Sequence, residues 1–200
     1  MKKVILASAS PRRRELLSSA IAEFEVRTAE TDETLPASVH PMDGVRILAE
    51  RKGEALYKTL NADERDAVII SSDTLVEIGG TPLGKPSSYE EAYAMLSSLS
   101  GKRHNVHTGI AVRVGDKVFA KTATTGVYFK ELTDSDIKEY IDTDECWDKA
   151  GSYAIQGGAG KFVSHIEGDF DTVVGLSLKL LCELVIEIGE GEVLLPYDKK

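Results

Sequence analysis

Short apolar segments that alternate with helical patterns are the feature that most constrains this chain. The apolar segments have the length of strands, and most helical segments begin with Ser, Thr or Pro, which favour helix starts. The predicted strands are residues 3–7, 24–28, 66–72, 106–114, 117–125 (with 127–131 continuing the sheet) and 162–166; the predicted helices are residues 10–20, 41–60, 89–99, 133–140 and 175–188. Gly115-Asp116 joins two central strands as a hairpin turn. This order predicts an α/β fold on a mixed sheet.

The composition of the chain restricts the partners and the compartment that we expect for it. Lys and Arg number 24 against 33 Asp and Glu, a net charge of −9, which disfavours a nucleic-acid partner. Cys146 and Cys182 fit neither a zinc pattern nor a disulfide framework, so a reducing compartment is expected. No segment has the pattern of a signal peptide or the roughly 18 apolar residues of a membrane span. We therefore expect a cytoplasmic protein with no membrane partner, folded as a single domain over residues 1–200.

Three consecutive arginines follow the first predicted strand. Ser10 is a favoured N-cap and Pro11 a favoured first helical residue, so Arg12, Arg13 and Arg14 fall in the first helical turn. Positive charge opposes the helix dipole there, and a bound polyphosphate would remove the conflict. Successive side chains point about 100° apart, so at most two of the three can face one ligand. A solvated basic turn with an ordinary cap is the open alternative.

Acidic residues at two places are candidates to hold a metal ion. Asp73 follows the apolar strand that we expect to end at Ser72, and α/β proteins place ligands at such a strand end. Its carboxylate could hold Mg²⁺ or accept a proton from water. Glu33 is the candidate second ligand, because Mg²⁺ commonly uses one or two carboxylates together with substrate phosphates. The alternatives are an aspartate that caps a turn and a solvated acidic loop.

Lysines and a glycine-rich segment supply further candidates. Lys85 is flanked by Gly and Pro, which indicate a loop, whereas Lys52 lies on a predicted helix and Lys149 follows an aspartate. Gln156 lies in a glycine-rich segment, where backbone can approach a ligand closely. Its amide carries both a donor and an acceptor, which suits the imide edge of uracil or thymine. Each of these residues is also compatible with an ordinary surface position.

Two nearby histidines could suggest a metal site, but their spacing argues against one. His104 and His107 are three residues apart in a predicted strand, so their side chains project to opposite faces of the sheet. A metal ion shared by the two histidines is therefore not expected.

Taken in order, these segments resemble the Maf family of nucleotide pyrophosphatases. The matching pieces are SASPRRRELL, the DE pair near residue 32, Lys52, SSDT, GKP, SGKRHNVHTGIAV, DKAGSYAIQG and GDFDTVVGL. They extend from residue 8 to residue 176, most of the chain. Each piece alone is weak, but the whole series at these separations is highly specific. The resemblance implies an α/β fold with an elongated mixed sheet flanked by helices and two lobes around a cleft.

The resemblance also implies which residues act. They are the substrate ligands Ser8, Arg12, Arg13, Thr74 and Gln156, the catalytic residues Asp73, Glu33, Lys52 and Lys85, and the metal ligands Glu33 and Asp73. Asp73 is the expected base that activates water. Arg13, Thr74 and Gln156 resemble the residues that mark the branch of the family that prefers dTTP and UTP.

The activity implied is hydrolysis of a nucleoside triphosphate to the monophosphate and pyrophosphate, with Mg²⁺, or Mn²⁺ or Co²⁺, as cofactor. The expected substrates are dTTP and UTP, together with modified pyrimidine nucleotides, and the role is house-cleaning of nucleotide pools. No Walker loop is present, which disfavours an NTPase of that type. Three alternatives stay open: a pyrophosphatase for 7-methyl-GTP, one for other non-standard purine nucleotides, and a septum-formation inhibitor that acts by binding a partner. A homodimer also stays open.

Two positions depart from the family pattern. Cys146 and Ser177 stand where the family usually has Pro. Both are expected in a loop or at a helix start, so we expect effects on local rigidity rather than on catalysis.

Overall fold

The computed structural model describes residues 2–36 and 38–195. Its strands are β1 (Val4–Leu6), β2 (Glu25–Val26), β3 (Val68–Ile78), β4 (Thr81–Leu83), β5 (Arg103–Val114), β6 (Lys117–Phe129) and β7 (Val163–Glu167). Its α-helices are α1 (Pro11–Ser18), α2 (Pro41–Thr59), α3 (Tyr89–Leu99), α4 (Asp134–Ile141), α5 (Phe170–Val174) and α6 (Leu178–Glu187). Strands and helices alternate as the sequence predicts.

All seven of these strands belong to one mixed sheet. The strand order is β2-β1-β3-β5-β6-β7, with β4 paired to β3 at the side. β1 pairs in parallel with β2 and β3, whereas the pairs β3–β4 and β6–β7 are antiparallel. The predicted α/β fold, a mixed sheet flanked by helices, is confirmed.

The chain forms two compact units whose segments interleave along the sequence. The first unit contains the described residues up to Asp73, residues 108–123, and the described residues from Gly175 onward; the second contains residues 74–107 and 124–174. Each unit has its own apolar core. The expectation of a single domain over residues 1–200, with lobes around a cleft, stays a prediction.

The strand β1 and the first three residues of β3, residues 68–70, are apolar because both of their faces are covered in the first unit. Ile5 and Ile69 pack with Leu56 of α2, whereas Leu6 and Ile70 belong to a separate cluster that includes side chains of α1 and α6. Adjacent residues of a strand point to opposite faces, so a strand between two helical layers has no polar side. This explains the unbroken apolar runs by which the sequence predicts these strands.

One boundary error affects the candidate site. The strand predicted to end at Ser72 continues to Ile78, so Asp73 lies inside β3 and not past its end. The prediction was wrong because β4 pairs with the far half of β3, with Ile78 opposite Thr81. Gly79-Gly80 connects the two strands in a turn, and both glycines have a positive φ that favours glycine.

The last helix also begins later than predicted. It starts at Leu178, not at Gly175, because Ser177 caps it: the Ser177 hydroxyl accepts a hydrogen bond from the Leu180 amide at 3.3 Å. The short helix α5, Phe170–Val174, precedes it and was not predicted. Ser177 therefore lies at a helix start and the buried Cys146 in a turn, as expected for these two departures from the family pattern.

Within the described residues, each helix is too short or too polar to span a lipid bilayer.

Helix α4 offers a test of local stability. The Thr133 hydroxyl accepts from the Asp136 amide, and the Asp136 carboxylate accepts from the Thr133 amide, which forms a capping box. Thr133→Ala should lower the free energy of unfolding by about 1 kcal/mol, since it removes an N-cap. Urea unfolding followed by circular dichroism measures this change. Thr133→Ser keeps the hydroxyl and is the control; equal stability of the alanine variant and the wild type would contradict the prediction.

Candidate active site

The start of α1 builds the first part of the site. Ser10 is extended, its hydroxyl accepts from the Arg13 amide at 3.4 Å, and Pro11 is the first helical residue. The predicted cap is therefore confirmed. The helix continues for eight residues, with Leu17 buried in the core of the first unit. This packing fixes the helix axis and hence the directions of the arginines in its first turn.

The three arginines have different surroundings. Arg14 is exposed, whereas Arg12 and Arg13 are half-buried. Arg13 donates from Nε to the Gly175 carbonyl at 2.9 Å and from Nη1 to Ser8 Oγ at 3.3 Å. The divergence of Arg13 and Arg14 follows from the angle between successive helical side chains.

Arg13 is electrostatically linked to the acidic residues of the same unit. Burial lowers the pKa of its guanidinium, and the carboxylates of Asp73 and Glu33 raise it, with Arg12 acting against them. Burial disfavours the charged form of a cation, and nearby carboxylates favour it. Arg13 is thus close enough to Asp73 and Glu33 for their charges to affect its pKa.

Ser8 is oriented by the residues around it. Its hydroxyl oxygen is buried and accepts from the Ser10 amide at 3.2 Å and from Arg13 Nη1 at 3.3 Å. A hydroxyl has two acceptor lone pairs and one proton to donate. With both lone pairs used, the hydroxyl keeps one proton to donate, which suits a bond to an anionic oxygen.

Lys52 joins the two candidate metal ligands. It lies on α2, and its Nζ is 2.5 Å from Asp73 Oδ1 and 2.8 Å from Glu33 Oε1. The side chains of Lys52 and Asp73 are 19% and 14% exposed, against 59% for Glu33. The structure therefore brings Glu33 and Asp73 into contact with the ammonium group of Lys52, whose side chain is largely buried.

Arg51 holds the loop that carries Glu33, a role that the sequence did not reveal. Arg51 Nη1 donates to the carbonyls of Asp32 at 3.1 Å and Thr34 at 2.8 Å, which flank Glu33 in the chain. Asp32 accepts from the Thr34 amide, and this bond lowers the pKa of its carboxyl. The only sequence signal for Arg51 is its place beside Lys52.

The chemistry of Glu33 and Asp73 fits a hard divalent cation. Both offer carboxylate oxygens, the ligands that Mg²⁺ prefers, and both are within reach of the same ammonium. Among residues 2–36 and 38–195, no group of three or more His, Cys, Asp or Glu side chains could hold a metal ion. A two-carboxylate site would be completed by substrate phosphates and water, as is usual for Mg²⁺. Their role as metal ligands stays a prediction.

The other predicted site residues belong to the second unit. Thr74 is half-buried in β3, Lys85 is exposed in a loop, and Gln156 is exposed in a turn. The Gly151 amide donates to the Gly84 carbonyl at 2.9 Å. The glycine-rich segment with Gln156 is thereby tied to the loop that carries Lys85.

The two histidines contact different groups, also within the second unit. His104 Nε2 is 2.9 Å from the Tyr153 hydroxyl, and burial, with a contribution from Arg103, lowers the pKa of His104 to about 4. His107 is hydrogen-bonded to Thr124 at 2.8 Å and contacts Glu77 at 3.3 Å. The buried Glu77–His107 pair was not predicted.

Comparison with known proteins identifies the family. The sequence model of the family described as Maf-like protein matches residues 3–188. The chain belongs to this family.

Three relatives of similar sequence have the same name. The chain is 42% identical over 192 residues to a dTTP/UTP pyrophosphatase from Caldicellulosiruptor saccharolyticus. The aligned region covers 94% of this chain and 96% of the relative. It is 45% identical to a dTTP/UTP pyrophosphatase from Bacillus cereus, covering 90% and 87% of the two chains. A protein of the same name from Bacillus cytotoxicus is 44% identical, covering 96% and 98%.

The different surroundings of Arg13 and Arg14 generate a prediction. Arg13→Ala should weaken binding of inorganic tripolyphosphate by about tenfold or more, because a charge-assisted hydrogen bond contributes about 1.5–3 kcal/mol. Arg14→Ala removes the same charge from the same helix and is the matched control, with near-normal affinity expected. Isothermal titration calorimetry on variants with unchanged circular dichroism measures both. Equal, mild effects at the two positions would favour a solvated basic turn.

Proposed function

We propose that this chain hydrolyses dTTP and UTP, and modified pyrimidine nucleotides, to the monophosphate and pyrophosphate, as a house-cleaning enzyme of the nucleotide pool. The observation that carries the proposal is the cluster in the first unit: Lys52 between Glu33 and Asp73, with Arg13 linked to both carboxylates. The relatives named dTTP/UTP pyrophosphatase, at 42–45% identity, support the substrate.

The cluster suits phosphoanhydride hydrolysis. This reaction depends on positioning and on stabilising charge more than on covalent catalysis. In the proposal, Ser8, Arg12 and Arg13 bind the phosphates. Lys52 reduces the repulsion between the two carboxylates and the incoming polyphosphate, because its ammonium is in contact with both carboxylates.

Asp73 is the proposed base. Its carboxylate is mostly withdrawn from water and its position is fixed by β3 and by Lys52. A fixed carboxylate can orient a water molecule and accept its proton. Mg²⁺, Mn²⁺ or Co²⁺ held by Glu33 and Asp73 would supply charge neutralisation at the phosphate oxygens.

Residues of the second unit complete the proposal. Lys85 is proposed as a further cation for the triphosphate, and Thr74 and Gln156, with Arg13, as the residues that select pyrimidines. Gln156 lies in an exposed turn next to Gly157, so its amide is accessible to a base. We also place the protein in the cytoplasm, since both cysteines are free. A homodimer stays a prediction.

Product analysis tests the reaction type. With Mg²⁺ or Mn²⁺, dTTP and UTP should yield the monophosphate and pyrophosphate, identified by chromatography and ³¹P NMR. A panel that adds 7-methyl-GTP, the standard purine triphosphates and modified pyrimidine triphosphates serves as the comparison. Release of orthophosphate and a nucleoside diphosphate as the sole products would overturn the proposed reaction, and preference for a purine would overturn the proposed substrate.

Asp73→Asn tests the proposed base. The amide is nearly isosteric, so the fold should persist, but it neither accepts the proton nor carries charge for a metal ion. Turnover should fall by a factor of about 10² or more. Nucleotide affinity should persist if Asp73 acts chiefly as the base, and metal affinity should fall if it acts chiefly as a ligand.

The control for this variant is Asp63→Asn, an exposed aspartate of the first unit outside the cluster. It should keep normal turnover. A folded Asp73→Asn enzyme with near-normal turnover would move the base to another carboxylate, with Glu33 the next candidate.

A further inference from the structure

Two buried serines immediately precede Asp73 in β3. Ser71 and Ser72 are both fully buried. A buried hydroxyl is unfavourable unless it is hydrogen-bonded, so these two serines require partners. Adjacent strand residues point to opposite faces, and the two hydroxyls accordingly bond to different elements of the first unit.

Ser71 bonds to the helix that carries Lys52. Its hydroxyl donates to the Ala49 carbonyl of α2 at 2.7 Å. The approach is close: a Cβ atom on Gly53 would lie 2.9 Å from Ser71 Oγ, so this face of the helix needs glycine beside Lys52. Ser71 therefore sets the contact between α2 and β3 one turn away from the lysine.

Ser72 bonds to the group that holds Arg13. Its hydroxyl donates to the Gly175 carbonyl at 2.8 Å, and the same carbonyl accepts from Arg13 Nε at 2.9 Å. Gly175 has a φ of +124°, a backbone conformation that favours glycine. One carbonyl thus links the strand of Asp73 to the arginine.

We propose that Ser71 and Ser72 are two separate positioning residues, with Ser71 acting through Lys52 and Ser72 acting through Arg13. This inference rests on the proposed function, because it assigns the two serines to the cations of that site. Ser71 fixes the helix of Lys52, whose ammonium contacts Asp73, and Ser72 fixes the carbonyl that accepts from Arg13. If the serines had only a structural role, each serine substitution would change activity by the same factor whether Lys52 and Arg13 were present or replaced.

Double-mutant cycles separate these possibilities. Ser71→Ala should lower kcat for dTTP by about threefold to tenfold, and Ser72→Ala should raise KM by a similar factor, the range for loss of one hydrogen bond. In a Lys52→Ala background, Ser71→Ala should change kcat/KM less than about twofold. In an Arg13→Ala background, the same should hold for Ser72→Ala, measured both as kcat/KM and as tripolyphosphate affinity.

The crossed pairs are the matched controls. Ser71→Ala with Arg13→Ala, and Ser72→Ala with Lys52→Ala, should show effects that multiply, as expected for independent residues. Ser19→Ala, which removes an exposed hydroxyl bonded to the Leu16 carbonyl, should leave activity unchanged. Thermal unfolding verifies the fold of each variant. If an alanine variant does not fold, the corresponding cysteine variant, with a weaker donor of similar size, replaces it.

Selective coupling within the pairs Ser71–Lys52 and Ser72–Arg13 supports the proposal. Multiplicative effects in all four combinations overturn it, as do serine variants with unchanged kcat and KM. Failure of the proposed function gives a different result, since the wild-type enzyme would then not convert dTTP to dTMP and pyrophosphate.

Discussion

The candidate site depends on the contact of one ammonium group with two carboxylates. Lys52 Nζ lies within 2.8 Å of both Glu33 and Asp73. Two carboxylates held so close together repel each other, and a cation fixed between them reduces this repulsion. The close approach of α2 to β3 at Gly53 brings the lysine into place, and Arg51 holds the loop of Glu33.

Arg13, in the first turn of α1, is also a cation whose charge is stabilised by neighbouring groups. A cation at a helix start is opposed by the helix dipole, and partial burial adds a further penalty. Arg13 is stabilised by the Gly175 carbonyl, by Ser8 and by the charges of Asp73 and Glu33. These contacts offset the unfavourable position of this arginine at the helix start.

The strand β3 connects the candidate residues of both units. Asp73 and Thr74 are consecutive in it, although Asp73 belongs to the first unit and Thr74 to the second. The antiparallel pairing of β3 with β4 extends the strand past Asp73, which makes the backbone on both sides of this carboxylate regular. A carboxylate in a paired strand has less conformational freedom than one in a loop, as the proposed role of Asp73 requires.

The sequence by itself determined the α/β class, the caps at Ser10 and Thr133, and the hairpin at Gly115, because periodicity, capping and turn chemistry are local properties. It also indicated the candidate residues, because the chemistry of each side chain follows from its residue type. Only the tertiary structure decided that β3 continues through Asp73, since that depends on pairing with β4. The same holds for the meeting of Lys52 with Glu33 and Asp73, and for the hydroxyl bonds of Ser71 and Ser72. These contacts join residues 19 to 103 positions apart, a separation at which periodicity carries no information.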